Sequence, residues 1–304
     1  MTLEAARLRL RGRCAAVRHD EPLARHTTYG IGGPAALYVE CSSVEELRDA
    51  CTVLGEERVE YVVLGKGSNV LAADAGLDGA VIVLGSGFRH MNVDGTRIDA
   101  GAGCVLAHVV QEAFARGLSG LEFAVGIPGT LGGALAMNAG SRDVWIGSLV
   151  SSITILDRAG ELKQLRGDEL AWGYRRSSAA TQGIIVEASI TLQEDDEERV
   201  RRVMESNLRR RRQTQPLRQR NAGSVFVNPP GDSAGRLIEE CGLKGHRVGG
   251  AEVSELHANF IVNVGGATAD DVVALVVHIR EAVRAKHGIE LTPEIRFVGR
   301  FEPA

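Results

Sequence analysis

Nowhere does the chain run for the roughly 20 uncharged apolar residues that a membrane-spanning helix requires. Its first stretch, from Met1 to Cys14, alternates charged and apolar side chains and lacks the continuous apolar core of a secretory leader. Arg7, Arg9, Arg11 and Arg13 read instead as solvated positions of an N-terminal helical segment over residues 1–21, and the expected location is the cytoplasm. Cysteine is scarce: the five residues Cys14, Cys41, Cys51, Cys104 and Cys241 are odd in number, widely spaced and free of any C-x-x-C pattern. That excludes a disulfide framework and a zinc site, and leaves thiols packed in a reducing compartment. A surplus of positive charge is also missing. Lys and Arg total 35 against 39 Asp and Glu, a formal charge of −4. Such a balance offers no broad attraction to nucleic acid or anionic lipid, so any anion must be held locally.

The common nucleotide fingerprints are absent too. Gly65-x-Gly67 is followed by Val70 rather than a third glycine, and no amphipathic helix opens there, which disfavours a Rossmann domain. No phosphate-binding P-loop pattern occurs, and Ser224 is not framed by G-x-S-x-G, which excludes a hydrolase elbow.

Glycine is what the chain has in quantity, 37 residues of 304, concentrated between Gly30 and Gly147 among short β-branched runs. This reads as strands joined by tight turns, with strands expected over 36–40, 61–64, 80–84, 150–156 and 184–192. Ser43-Val-Glu-Glu46 predicts a capping box and a helix with Val44, Leu47, Cys51 and Leu54 inward, ended by Gly55. A second apolar stripe, Leu106, Val109, Val110, Ala113 and Phe114, closes at Gly117. The acidic run Glu194-Asp-Asp-Glu-Glu198 marks a domain boundary. It opens a helix that turns basic through Arg209-Arg-Arg-Arg212, an order that complements the helix dipole. A surface helix explains it; the alternative reading turns some of these arginines toward a diphosphate. Further strands are expected over 225–227 and 260–264. Thr268-Ala-Asp-Asp271 caps a helix with Val272, Leu275, Val276, Ile279 and Val283 on one face. The fold class is α+β in two domains, with no internal repeat.

Two glycine segments carry candidate chemistry. The turn Gly65-Lys66-Gly67-Ser68-Asn69-Val70 can present main-chain N–H groups to a phosphate, glycine permitting close approach. Gly126-Ile127-Pro128-Gly129-Thr-Leu-Gly132-Gly133-Ala-Leu-Ala-Met137-Asn138-Ala139-Gly140 holds five glycines in fifteen residues. It reads as an extended loop, too poor in side chains for a core element, and loops of that length in compact domains usually bind something. On local sequence Ser224 is a turn serine, and Arg175 and Glu294 are surface charges.

Taken in order, these segments resemble the UDP-N-acetylenolpyruvoylglucosamine reductases (MurB family) over nearly the whole chain. The residues are His26-Thr-Thr-Tyr29-Gly-Ile-Gly-Gly33, Gly65 to Asn69, Gly126 to Gly133 with Met137 to Gly140, Tyr174-Arg175-Arg-Ser177 and Gly223-Ser224-Val-Phe226. The order continues with Ala234-Gly-Arg-Leu-Ile-Glu239, Gly242-Leu-Lys244-Gly245, Val253-Ser-Glu-Leu-His257-Ala-Asn259-Phe260 and Leu291-Thr-Pro-Glu294. The resemblance implies an FAD-binding domain of the PCMH (vanillyl-alcohol-oxidase-like) type over 22–195 and a smaller α+β substrate domain over 196–304. It implies FAD bound non-covalently by Tyr29 and the main chain of the two glycine segments, and NADPH as reductant sharing the substrate's cleft. The short stretch between Ser178 and Ile184 matches the subtype without a tyrosine-bearing insertion.

The resemblance also implies the chemistry. Hydride passes from NADPH to flavin and then to the terminal enolpyruvyl carbon of a UDP-sugar. Arg175 and a protonated Glu294 stabilise the charge left on the adjacent carboxylate, and Ser224 donates a proton to the neighbouring carbon. Tyr174, Asn228, Glu239, Lys244, His257 and Asn259 match substrate-binding positions. A monomer acting on small molecules is expected, with no metal, nucleic acid or membrane. Two places depart from the family pattern: Val227 stands where Lys or Arg is usual, and Ser141-Arg142-Asp143 replaces small and aromatic residues. Two rival readings are a flavin-linked oxidase of the same fold, whose histidine tether in an R-x-x-G-H context is absent, and a non-catalytic UDP-sugar binding protein.

Overall fold

In the computed structural model the described residues are 2–141 and 144–301. They form two compact units whose segments interleave along the chain. The first comprises Met1–His19, Leu37–Lys66 and Gly79–Arg209; the second comprises Asp20–Ala36, Gly67–Asp78 and Arg210–Ala304. Sequence alone places the division near the acidic run at 194–198. In the fold it lies at Arg209, inside the Glu197–Thr214 helix, and two N-terminal pieces join the second unit. No helix among the described residues is long and apolar enough to cross a membrane.

The two largest sheets lie mostly in the first unit. One has the strand order Ala16–Pro22, Pro34–Cys41, Leu77–Leu84, Tyr61–Val63. The last two pair in parallel, Tyr61 opposite Ala80 and Val63 opposite Ile82, and a parallel pair needs a crossover. The other is a five-stranded antiparallel sheet ordered Leu162–Arg166, Val150–Asp157, Gly183–Thr191, Arg97–Gly101, Met91–Asp94. Its inward side chains, among them Ile98, Ala100, Ile153, Ile155, Ala188 and Ile190, form one core with the Leu106–Ala115 and Leu131–Ala136 helices.

The Val44–Glu56 helix follows the expected start but not the expected stop. Ser43 Oγ accepts from Glu46 N at 3.2 Å. The Glu46 carboxylate, however, bonds the main chain of Ser42 (2.7 Å) and Ala15 (2.9 Å) instead of closing a box on Ser43. Its buried face is Leu47, Ala50, Val53 and Leu54, with Val44 and Cys51 at the margin. Gly55 stays helical, and the chain turns instead at Arg58, φ 56°. Nothing lies within 4 Å of where a Gly55 Cβ would be, so packing makes no demand on that glycine. The Leu106–Ala115 helix keeps its stop at Gly117, φ 65°, and buries Leu106, Val109, Val110 and Ala113 of its expected stripe, while Phe114 lies at the margin under the Arg201 guanidinium. The N-terminal Leu3–Leu10 helix is not merely solvated, since Arg9 pairs with Glu57 at 2.9 Å and with Glu56.

In the second unit the Ala269–His287 helix lies in one core with the three-stranded sheet Arg247–Val248, Ala251–Val253, Ile261–Asn263. Here the sequence reading holds residue for residue: Val272, Leu275, Val276, Ile279 and Val283 are buried, and the capping box is complete. Thr268 Oγ1 accepts from Asp271 N at 3.1 Å, and Asp271 Oδ2 accepts from Thr268 N and from Gly250 N, each at 3.0 Å. Burial opposes ionisation of Asp271, but these hydrogen bonds outweigh it and hold its pKa below the ordinary 3.8. Its contribution to stability is therefore full above that value and is lost as pH falls through the lower folded one. Asp74 Oδ2 adds a second anionic acceptor for Ala269 N, at 2.6 Å. Replacing Thr268 by alanine is expected to cost about 1 kcal/mol, read as a shift of the denaturant midpoint with an unchanged slope.

The strand expected at 225–227 is instead an irregular extended segment with an isolated bridge, Phe226 opposite Pro293. The strand expected at 260–264 is the shorter Ile261–Asn263.

Candidate active site

Within the second unit, four segments far apart in sequence are tied into one arrangement. Gly67 has φ 60°, and a Cβ on it would fall 2.3 Å from His26 O, so no other residue fits that turn. Its carbonyl accepts from Thr28 N at 3.2 Å, while the Thr28 hydroxyl donates to Asn221 O at 2.6 Å. Asn221 Oδ1 accepts from Gly223 N at 2.8 Å, closing a turn in which Gly223 takes φ 78° and delivers the chain to Ser224. Asn69 Nδ2 donates to Glu294 O at 3.2 Å, and Arg296 N donates to Asn69 O at 2.9 Å. From there Val70–Ala72 and Arg296–Val298 run as parallel partners.

Ser224 and Glu294 are joined through one residue. Glu294 N donates to Val225 O at 2.7 Å, and Val227 N donates to Thr292 O at 2.9 Å. Both Ser224 and Glu294 are half-buried, and the Ser224 hydroxyl hydrogen-bonds no described residue, which leaves it available to a ligand. Hydrogen bonds thus link the turn Gly67–Asn69 to Glu294, and Glu294 to the residue after the serine. Tyr29 is fully buried nearby in the same core. Burial pushes its phenol pKa up, and among the described residues its hydroxyl has no hydrogen-bond partner. A buried orphan of this kind calls for a ligand or water.

The remaining expected ligand positions of this unit cluster behind the serine segment. Lys244 Nζ and Glu239 Oε1 form an ion pair at 2.7 Å. Burial, reinforced by the Lys244 charge, lowers the His257 pKa. His257 Nδ1 accepts from Asn259 N at 3.2 Å, so the proton of the neutral ring sits on Nε2. Asn228 Oδ1 accepts from Ala234 N at 3.0 Å, beside the N-cap Ser233 of the Ala234–Glu240 helix. Asn259, expected to meet substrate, is 3% exposed, with its carboxamide bonded to the main chain of Phe226. Val227 is half-buried, and its side chain offers no charge.

In the first unit, the segment 126–140 differs from the extended loop expected. It contains the Leu131–Ala136 helix, with Leu131 and Leu135 fully buried. Thr130 Oγ1 caps it by accepting from Gly133 N at 3.3 Å. Two neighbouring amides are also committed inside the protein: Leu131 N donates to Cys104 O (2.8 Å) and Gly132 N to Ala102 O (2.9 Å). A Cβ at Gly132 would sit 2.9 Å from Ala102 Cβ, so this glycine lets the helix dock. Gly133 is different: exposed, with only Thr130 Oγ1 at 3.4 Å from its would-be Cβ. Internal packing does not require Gly133 to be glycine. Gly126 and Gly129 take positive φ, 77° and 130°, flanking the half-buried Ile127 and exposed Pro128. Gly65 meets the same cap, since its Cβ would lie 2.6 Å from Thr130 Oγ1; Lys66 beside it is exposed.

The far end of the segment reaches Arg175. Asn138 is buried at φ 41°; its Nδ2 donates to Gly173 O and its Oδ1 accepts from Gly147 N, both at 3.0 Å. Ala139 O accepts from Ile146 N at 2.9 Å, and Met137 N donates to Gly133 O at 3.1 Å. Gly173 pairs with Arg176 across a two-residue turn of Tyr174 and Arg175. Arg175 takes φ 57°, its guanidinium 5.0 Å from the Tyr174 ring centroid and its Nη1 3.5 Å from Gly140 O. A left-handed arginine costs roughly 1 kcal/mol, and such strain collects at functional sites. Of the departures noted after Gly140, Arg142 and Asp143 lie outside the described residues, and Ser141 pairs with Val144.

Sequence reasoning gave no role to Thr28, Thr130 and Asn221, whose hydrogen bonds hold these segments in place. A signal existed for the last: Asn followed closely by Gly is a turn signature.

The C-terminal domain model of UDP-N-acetylenolpyruvoylglucosamine reductase matches residues 215–298, and an FAD binding domain model matches 35–166. The UDP-N-acetylenolpyruvoylglucosamine reductase of Heliobacterium modesticaldum is 47% identical over 282 residues, 92% of this chain and 90% of that one. The crystal structure of the UDP-N-acetylenolpyruvylglucosamine reductase of Thermus caldophilus superposes with a TM-score of 0.82 at 39% identity. It covers 93% of this chain and 100% of its own. A variant of Phl p 4 described as a glucose oxidase matches 64% of this chain and 44% of its own, with a TM-score of 0.50 at 14% identity, a likeness of fold alone.

Proposed function

Given that the chain belongs to the UDP-N-acetylenolpyruvoylglucosamine reductase family, we propose which of its residues carry the reaction. The protein is an FAD-dependent oxidoreductase that uses NADPH to reduce the enolpyruvyl group of a UDP-sugar, giving UDP-N-acetylmuramate for peptidoglycan. What bound FAD supplies is hydride transfer, taken up from NADPH and released to the terminal enolpyruvyl carbon.

The residues present suit that cofactor: exposed Gly133, with only Thr130 Oγ1 near where its Cβ would be, leaves room for a large planar ligand against the main chain. Gly65 to Val70 and the 126–140 segment hold it without a covalent bond. Hydride addition leaves negative charge on the enolpyruvyl carboxylate. Arg175 stabilises that charge through its planar fork and Glu294 through its carboxyl group. Ser224 then gives its proton to the adjacent carbon. Tyr174, Asn228, Glu239, Lys244 and His257 hold the UDP-sugar. The protein acts as a monomer in the cytoplasm, where NADPH and nucleotide sugars are available.

The observation that carries this reading is the hydrogen-bonded run from Asn69 through Glu294 to Val225, which fixes Ser224 and Glu294 beside the glycine turn. Anaerobic titration tests it. NADPH is expected to bleach the bound yellow cofactor, and the UDP-enolpyruvyl sugar to restore the colour at one equivalent. A colourless protein, or one inert to NADPH, would support a binding protein instead. Flavin that stays attached through acid denaturation would support an oxidase.

A further inference from the structure

We infer that Asn259 is a positioning residue for the proton-donating step: its carboxamide clamps the main chain beside Ser224 and so sets where that hydroxyl is held relative to Glu294. The inference rests on the roles proposed above for Ser224 and Glu294.

Asn259 is 3% exposed. Its Oδ1 accepts from Phe226 N at 2.9 Å, its Nδ2 donates to Phe226 O at 2.8 Å, and its own carbonyl accepts from Val225 N at 2.8 Å. Three hydrogen bonds from one residue therefore fall on the two residues directly after Ser224. On the opposite edge the same segment bonds Glu294 and Thr292. Residues 225–227 are held like a central strand, although one edge is supplied largely by a side chain.

Upstream, the Asn221 turn holds Gly223 N, and no side chain packs against Gly223 itself. Gly223 sits at φ 78°, its would-be Cβ meets nothing closer than Ser68 O at 4.0 Å, and the Ser224 hydroxyl bonds no described residue. The serine is thus held between the Asn221 turn on one side and the clamped Val225 and Phe226 on the other. A carboxamide offers a donor and an acceptor at the spacing of a peptide group, whereas a carboxylate offers acceptors alone. Removing it leaves the Phe226 N–H and C=O buried without partners, which the segment relieves by moving. The clamp is itself anchored, because Asn259 N donates to His257 Nδ1, next to the Lys244 and Glu239 pair.

The test compares Asn259→Ala and Asn259→Asp with Ser224→Ala and with the double variant Ser224→Ala/Asn259→Ala, all as FAD-loaded full chains. In each Asn259 single variant, bleaching by NADPH is expected to stay within about twofold. Reoxidation by the enolpyruvyl substrate is expected to slow by roughly 10- to 100-fold, the scale of a misplacement near 1 Å. In the Ser224→Ala background the Asn259 change is expected to add less than about twofold, because residues acting through one another are not additive. Multiplying effects, equal slowing of both half-reactions, or unchanged reoxidation would each overturn the inference. Asn259→Asp keeps the acceptor for Phe226 N–H, so it serves if the alanine variant does not fold. A selective Ser224→Ala beside silent Asn259 variants overturns this inference alone. An unselective Ser224→Ala overturns the serine's role and the inference with it.

Discussion

Ser224→Ala leaves NADPH-driven bleaching of the flavin intact and slows reoxidation by the enolpyruvyl substrate by at least roughly 10²-fold, the lower end of what general acid catalysis supplies. The selectivity follows from the geometry. The Ser224 hydroxyl bonds no described residue, so its loss removes no internal hydrogen bond. The turn that delivers Ser224 is fixed by Asn221, Gly223 and Val225, none of which is altered. Alanine also fits a half-buried serine position without strain. The fold and the cofactor grip therefore survive, and the deficit belongs to proton transfer. Rapid-mixing measurement of each half-reaction separates the two, and equal slowing of both would remove Ser224 from the donor role.

Arg175→Lys is expected to lose about 10² to 10³ in the rate of reoxidation, the scale seen when one charge-stabilising donor is withdrawn from a reaction centre. Lysine retains the positive charge and meets the same backbone cost at φ 57°, so what changes is the fork. A guanidinium can bind both oxygens of a carboxylate in one plane, and an ammonium is a point charge. Arg175→Gly completes the argument. It relieves the left-handed strain, so it should not lower the melting temperature, while reoxidation falls at least as far as in the lysine variant. Stability and activity moving apart in this way would mark the strained turn as kept for chemistry. Wild-type reoxidation by either variant would take Arg175 out of the reaction.

Legibility in the sequence varied with how local the physics was. The helix after Thr268 could be read to its last inward residue, because a capping box and a 3.6-residue repeat are both written in consecutive positions. The Val44–Glu56 helix was readable at its start and not at its stop. Its chain reversal uses Arg58 rather than Gly55, closed by Val59 N donating to Leu54 O at 2.8 Å. The 126–140 segment was misread as a plain loop because its glycines hide two buried leucines whose partners lie on the antiparallel sheet. Asn259 shows the same limit at the site: nothing near it in sequence says that Phe226 will be its partner.

By itself the sequence determined the class of protein, the absence of a Rossmann fingerprint, the family resemblance, and the residue types able to hold a flavin and move a proton. Only the tertiary structure decided that residues 20–36 and 67–78 fold with the C-terminal unit. It also decided that Asn69, Glu294, Val225 and Asn259 form one hydrogen-bonded run. The reason is physical: caps and periodicities are satisfied among neighbours along the chain, whereas each of these bonds has a main-chain group of a distant segment as partner, whose chemistry is the same at every position and so leaves no mark in the order of side chains.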